Sequence, residues 1–215
     1  MFIRVERPWR RLRGDKGFTL AELLVAALFG LVVIATLYGF FREQLFQLLA
    51  QETKTATLED ARGALDMMVH ELRNAGSWGT GTVPVTGSGT PCARVVTATA
   101  TSINIQADLD GNGICSTATA GEDVTYDLGS ATSTCPGSII RRNSNCLIPN
   151  VVLPTGSLFT YYDSSNTQLS ASPTVTSIKR VQITFSVQVA EPTPEGKAAG
   201  RNITSTLTSS AEFRN

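Results

Sequence analysis

Oxygen-bearing side chains alternate along one short segment of this chain, which contains Asp108, Asp110, Gly111, Asn112 and Gly113. Side-chain oxygens at alternate positions, with a glycine at the sixth, are typical of the start of a calcium-binding loop. The twelfth position of such a loop should be a bidentate glutamate, but here it is Thr119. Glu122 or Asp123 would complete a looser calcium site. The alternative is a turn between strands, which Asp, Asn and Gly favour without any ion.

The composition gives little support for a catalytic site. His70 is the only histidine among 215 residues, so a Ser-His-Asp or Cys-His site would depend on that one imidazole. The sequence contains no phosphate-binding glycine loop, and we expect no enzymatic activity. Basic and acidic residues number 18 each, which gives no overall reason to bind nucleic acid. A hydrophobic content of 42% rules out an intrinsically disordered chain.

An uncharged apolar run occupies residues 23–41, which are 19 in number. As a helix it would span roughly 28 Å, close to the hydrocarbon thickness of a bilayer. Residues 1–17 carry six basic side chains against two acidic ones, so residues 42–215 should cross the membrane and the amino terminus should stay inside. The run is too long for a secretory signal peptide, and no small-residue cleavage site follows it. We therefore predict a membrane-spanning helix over residues 18–41.

Residues 17–22 read Gly-Phe-Thr-Leu-Ala-Glu and lead directly into the apolar run. Together with the basic leader, this segment resembles the amino-terminal signature of type IV prepilins and type II secretion pseudopilins. The resemblance covers about residues 14–41. It implies that a prepilin peptidase removes residues 1–17 by cutting after Gly17, and that the new amino-terminal Phe18 is then N-methylated.

Glu22 is an acid at the edge of a segment that otherwise suits lipid, where charge is costly. Cleavage would place a positive amine on Phe18, about one helical turn from Glu22. When many such helices bundle, the carboxylate of one subunit can meet the amine of a neighbour in a dry environment. A pair of this kind specifies the stagger between subunits, because removing one partner leaves a buried unpaired charge. We predict that Glu22 is an assembly residue.

The helix should continue beyond the membrane to about Asn74, where Gly76 provides a left-handed cap. Apolar residues spaced three and four apart form one face in this amphipathic half, residues 42–75: Leu58, Ala61, Leu65, Met68 and Leu72. This face should pack on a sheet. The segment 60–76 resembles the helix end of PilW-type minor pilins, and the J-type pseudopilins have a related pattern.

The remainder, residues 76–215, is rich in Thr, Ser, Gly and Val, with apolar residues at alternate positions. This alternation predicts strands at 93–99, 102–107, 123–128, 138–142, 158–162, 178–190 and 202–213. Residues 76–91 and the prolines and glycines of 192–200 read as loops. One long helix followed by several strands predicts an α+β fold, with an antiparallel sheet against the helix in the manner of a pilin.

All four cysteines lie beyond the membrane segment: Cys92, Cys115, Cys135 and Cys146. An even number in an exported domain predicts two disulfides, for which the sequence allows three pairings. Cys135 and Cys146 enclose a short loop and are the first choice, which leaves Cys92 with Cys115. The absence of CxxC spacing argues against a metal, haem or redox site.

The resemblance implies a minor pilin, a structural subunit that helps to initiate assembly of a type IV pilus. The alternatives are a J-type pseudopilin of a type II secretion system, or a tip adhesin that binds ligands through loops at 76–91, 108–122 and 129–146. The implied partners are the prepilin peptidase and N-methyltransferase, other minor and major pilins, the inner-membrane assembly platform and membrane lipid. The implied location is the bacterial inner membrane, with a single span and a periplasmic carboxy-terminal domain, and then the pilus or pseudopilus. Calcium is the one cofactor considered.

Overall fold

The computed structural model describes residues 17–77, 92–112, 114–115, 119–191 and 200–213. It contains one long helix, α1, and a set of strands that follow it, which confirms the predicted α+β fold. The elements are α1 (Leu20–Asn74), β1 (Val95–Ala98), β2 (Ser102–Gln106), β3 (Asp123–Gly129), β4 (Ile139–Arg142), β5 (Asn145–Ile148), β6 (Val151–Val152), β7 (Phe159–Tyr162), a short 3-10 helix (Val175–Ser177), β8 (Arg180–Ala190) and β9 (Asn202–Glu212).

The chain divides into two compact units, residues 1–46 and 47–215. The described part of the first unit is the start of α1 and the three residues that precede it. Its large apolar side chains are exposed from Phe18 to Leu45, and Phe46 is partly buried. By length and composition, α1 is able to cross a membrane, and none of the apolar window that qualifies it is buried inside the protein.

In the second unit, α1 packs on the sheets through the face that its spacing predicts. Ala61, Leu65, Met68 and Leu72 are buried, and Leu58 is partly buried against the same core. The helix ends where the sequence indicates, because Gly76 adopts a left-handed φ of 75°. The Gly76 N–H donates to the carbonyl of Gln106 at 2.8 Å, which connects the end of the helix to the end of β2.

The strands form two antiparallel sheets, whereas the sequence interpretation placed a single sheet against the helix. The first sheet has five strands in the order β1-β2-β3-β4-β5. In the second sheet, β8 is central: β9 pairs along one side of it, and β6 and β7 share the other side. One core cluster contains buried residues from α1 and from both sheets.

The period-two pattern of β8 predicts its burial. Val181, Ile183, Phe185 and Val187 are almost completely buried, whereas Val189, at the end of the same face, is only half-buried. Side chains at alternate positions of a strand point to the same side of the sheet, so this row forms the centre of the core.

Strands β5 and β6 are absent from the sequence prediction. β4 and β5 form a hairpin whose two loop residues, Asn143 and Ser144, have φ values of 48° and 67°. Two positive φ values at the centre of a two-residue loop are typical of a type I′ turn. Asn-Ser is a weaker signal for this turn than Asn-Gly, because serine lacks the conformational freedom of glycine. The hairpin is therefore hard to recognise from the sequence.

Candidate functional site

The first candidate site is the start of α1, where Gly17, Phe18 and Thr19 precede the helix and are exposed. A Cβ placed on Gly17 would meet no atom within 4 Å. The Gly17–Phe18 bond thus lies in irregular, accessible chain just before the first helical turn. Residues 1–16 of the predicted leader lie outside the described part of the chain.

The Glu22 side chain folds back onto the amino-terminal end of its own helix. The backbone N–H of Thr19 donates to Glu22 Oε2 at 2.9 Å, and the Thr19 hydroxyl donates to the same oxygen at 3.0 Å. In return, the backbone N–H of Glu22 donates to Thr19 Oγ1 at 3.3 Å. This reciprocal pair is a capping box, in which the N-cap residue and the residue three positions later satisfy each other's free N–H groups. The sequence analysis missed this role, although the Thr-x-x-Glu spacing signals it.

The second candidate site is the acidic loop after β2. One carboxylate oxygen from each of Asp108, Asp110 and Glu122 lies within 4.8 Å of the others. Asp108 and Glu122 are buried, and Asp110 is exposed. Carboxylates this close repel one another, and the repulsion is stronger away from water. Carboxylate oxygens are the ligands that calcium prefers, so a cation at this position would offset the repulsion.

The backbone of the loop holds these carboxylates in place. The Gly111 N–H donates to Asp108 Oδ1 at 2.8 Å, and the Asp110 N–H donates to Glu122 Oε1 at 3.4 Å. Asp110 and Asn112 each accept a hydrogen bond from the N–H two residues later, at 3.0 Å and 2.7 Å. Such Asx turns are the local chemistry by which Asp and Asn form loops without an ion.

Of the two remaining residues of the predicted calcium set, Asp123 is engaged on the neighbouring strand, and Asn112 is bonded to Asp110 within the loop. Asp123 accepts hydrogen bonds from Asn104 Nδ2 at 2.6 Å and from Gln106 Nε2 at 2.9 Å, both on the neighbouring strand β2. Asn112 uses its amide oxygen for the Asx turn and donates its amide nitrogen to Asp110 Oδ2 at 2.8 Å. The structure therefore brings together Asp108, Asp110 and Glu122, and it does not bring Asp123 to them.

The four cysteines form two disulfides, Cys92–Cys115 and Cys135–Cys146. This is the pairing that loop length favoured. The first bond closes 23 positions of chain and joins the start of the first sheet to the acidic loop. The second bond closes 11 positions and joins the segment before β4 to β5. Cross-links of this kind restrict the unfolded chain, so they stabilise the folded domain relative to the unfolded one.

A polar cluster missed by the sequence analysis connects α1 to the first sheet. The Tyr126 hydroxyl of β3 donates to Glu71 Oε2 at 2.6 Å, and Arg142 Nη2 of β4 donates to Glu71 Oε1 at 2.8 Å. Burial raises the pKa of Tyr126, and the hydrogen bond to Glu71 raises it further. The Glu71 carboxylate likewise raises the pKa of the Arg142 guanidinium through the hydrogen bonds it accepts. No sequence pattern signals the cluster, because its members are far apart along the chain.

Comparisons of the whole chain with known protein families, with curated proteins and with solved structures give no match.

We expect Glu71→Gln to destabilise the folded domain by about 1–3 kcal/mol, because it removes the charge that Arg142 faces in a partly buried site. The exposed helix variant Glu59→Gln is the matched control and should change stability by less than about 0.5 kcal/mol. Thermal unfolding of both full-length variants in detergent micelles measures the difference. Equal melting temperatures for the two variants would show that the cluster does not stabilise the contact between helix and sheet.

Proposed function

We propose that this protein is a minor pilin, a structural subunit that helps to initiate assembly of a type IV pilus. The observation that carries the proposal is the amino-terminal segment, in which Gly17, Phe18 and Glu22 lead into a helix whose apolar side chains are exposed. The chemistry that this segment supports is removal of the leader followed by lateral association of helices. An antiparallel β domain after the helix is consistent with that role.

The exposed apolar surface of α1 supports a subunit that exchanges lipid for other helices. From Leu23 to Leu49, over about seven helical turns, the large apolar side chains are exposed except for Phe46, which is partly buried. In a bilayer this surface contacts acyl chains, and in a filament it would contact the corresponding surfaces of other pilins. The proposed location is the inner membrane, with the β domain in the periplasm, and then the filament.

Glu22 has two candidate roles that a single pair of variants can separate. The capping box needs an acceptor that reaches the Thr19 N–H, and either glutamate or glutamine provides one. The proposed pair with the amine of a neighbouring Phe18 needs the negative charge. A change that removes the charge but keeps the amide oxygen therefore tests the assembly role separately from the helix cap.

We expect Glu22→Gln and Glu22→Ala to insert into the membrane and to be processed, yet both should fall below detection in purified filaments. Both variants lack the charge that would meet the Phe18 amine, whereas only the alanine variant also loses the cap. Immunoblots of sheared filaments and of membranes give the measurement. Normal incorporation of Glu22→Gln would assign Glu22 to helix capping and remove the charge-pair mechanism.

Processing is expected at the Gly17–Phe18 bond. Mass spectrometry of envelope material should find a chain that begins at methylated Phe18, and Gly17→Val should leave a chain that begins at Met1. Gly14→Val is the matched control, since it adds the same side chain to the leader away from the bond and should be processed normally. A wild-type chain that keeps Met1 in cells with an active prepilin peptidase is incompatible with the proposal.

Deletion of the gene separates the minor pilin from its two alternatives. Loss of pili supports an assembly subunit, and loss of secreted enzymes with pili intact supports a J-type pseudopilin. Pili of normal number that no longer adhere support a tip adhesin. The acidic loop would then be one of the surfaces to examine.

Calcium is the proposed ligand of the acidic loop, supported by the closeness of the Asp108, Asp110 and Glu122 carboxylates. Titration calorimetry of the full-length chain should show saturable calcium binding, and calcium should raise the melting temperature by mass action. Asp110→Asn should weaken binding, because it removes one anionic ligand at an exposed position. Asp66→Asn, an exposed change on α1, should leave the affinity unchanged. If the wild-type chain shows neither binding heat nor a shift in melting temperature with calcium, the proposal is wrong and the loop is a simple turn.

A further inference from the structure

Strand β9 forms a long edge of the second sheet. Its 11 residues pair with β8 in an unbroken antiparallel register from Arg180↔Glu212 to Ala190↔Asn202. Within the residues that the structure describes, no other strand pairs with β9. The two edge strands of the first sheet, β1 and β5, have four residues each, and each has an irregular register with its partner.

Hydrogen bonds beyond both ends of this pair determine which β9 groups face outward. The Glu191 N–H donates to the Arg201 carbonyl, and the Phe213 N–H donates to the Lys179 carbonyl. In an antiparallel ladder, residues that bond to the partner alternate with residues whose N–H and C=O point away. Odd-numbered residues of β9 therefore bond to β8. The outward groups belong to the even-numbered residues, namely Asn202, Thr204, Thr206, Thr208, Ser210 and Glu212.

Soluble proteins usually protect such an edge with charges, proline, a bulge or a short strand. β9 contains no lysine, arginine or proline, and Glu212 at its end is its only charged residue. Its register contains no bulge. An edge that is long, regular and almost uncharged can accept another strand through backbone hydrogen bonds.

The side chains of β9 indicate what such a strand would look like. On the core side, Ile203 and Leu207 are only half-buried, whereas Ala211 is fully buried. On the other side, Thr204, Thr206 and Thr208 are exposed. An added strand would cover the two apolar side chains with apolar groups at alternate positions, and would place small polar groups beside the threonines.

We propose that the outward edge of β9 binds an extended, uncharged segment of a partner protein, which adds to the second sheet as a further strand. The segment alternates apolar and small polar residues, and its backbone bonds to the outward N–H and C=O groups of β9. This inference does not depend on leader cleavage or on Glu22, so it can fail or succeed independently of the proposed function.

The test uses the full-length chain in detergent micelles and a fluorescent synthetic peptide with the sequence of residues 181–189. This sequence alternates apolar and polar residues, and as part of β8 it already pairs with β9. Thr206→Pro removes an outward N–H without removing a backbone hydrogen bond to β8, because the N–H of an even-numbered residue points away from β8. It also removes the side-chain hydrogen bond between Thr206 Oγ1 and Ser186 Oγ of β8, at 2.7 Å. Thr206→Ala is the matched control, since it removes the same side-chain hydrogen bond to Ser186 and keeps the N–H.

We expect saturable binding to the wild-type chain and to Thr206→Ala, and binding weaker by about tenfold or more to Thr206→Pro. Melting temperatures should be similar for the two variants, because both lose the hydrogen bond between Thr206 and the buried Ser186. If Thr206→Pro is itself destabilised, Thr204→Pro makes the same test nearer the end of the strand. Absence of saturable wild-type binding overturns the proposal. Equal binding by a folded proline variant also overturns it, because the peptide would then be bound elsewhere or in place of β8.

Discussion

The continuity of α1 is the constraint on which the rest of the structure depends. One helix of 55 residues satisfies its own backbone hydrogen bonds throughout, which is the condition for a segment to lie in lipid. The same helix then presents a second surface, from Leu58 to Leu72, that packs on the sheets. The side chains change along the helix while the backbone continues without a break, so a segment apolar enough to cross a membrane and an element of the core belong to the same helix.

Contacts between helix and sheet give this arrangement its specificity. Apolar packing against Met68 and Leu72 is not directional, and it tolerates small rotations of the helix. The Glu71 carboxylate is directional, because it receives a tyrosine hydroxyl and an arginine guanidinium from two adjacent strands. Hydrogen bonds to a charged group are stronger than neutral ones and have narrower geometry. The polar cluster therefore favours the one placement of α1 in which Glu71 reaches both Tyr126 and Arg142.

Two polar features of the chain serve local structure and also allow a further role. Glu22 completes a helix cap, and the same carboxylate is the proposed partner of a neighbouring amine. Asp110 and Asn112 form consecutive turns, and Asp110 also belongs to the carboxylate group that suits calcium. Local hydrogen bonds explain why these residues fit their positions. The negative charges of Glu22 and of the acidic loop are what suggest a partner outside the chain, an amine for the first and a cation for the second.

Much of the fold follows from local patterns in the sequence. Three patterns carry this information: the apolar run, the helical spacing up to Leu72 and the alternation from Val181 to Val187. Each pattern arises because individual side chains of one element are either buried or exposed. These patterns predict α1 to within two residues at its start, and they predict every long strand. The β4–β5 hairpin escapes them because its turn depends on positive φ values at Asn143 and Ser144, which these residue types only weakly indicate.

What the sequence by itself determined is the helix and the positions of the longer strands, because these depend on residues that are close along the chain. Only the tertiary structure decided the division of the strands into two sheets, the meeting of Glu71 with Tyr126 and Arg142, and the exclusion of Asp123 from the acidic group. These features depend on which strands become neighbours and on which side of a strand a residue faces. Both properties depend on how distant segments of the chain pair with one another. The spacing of residues along the chain does not predict that pairing.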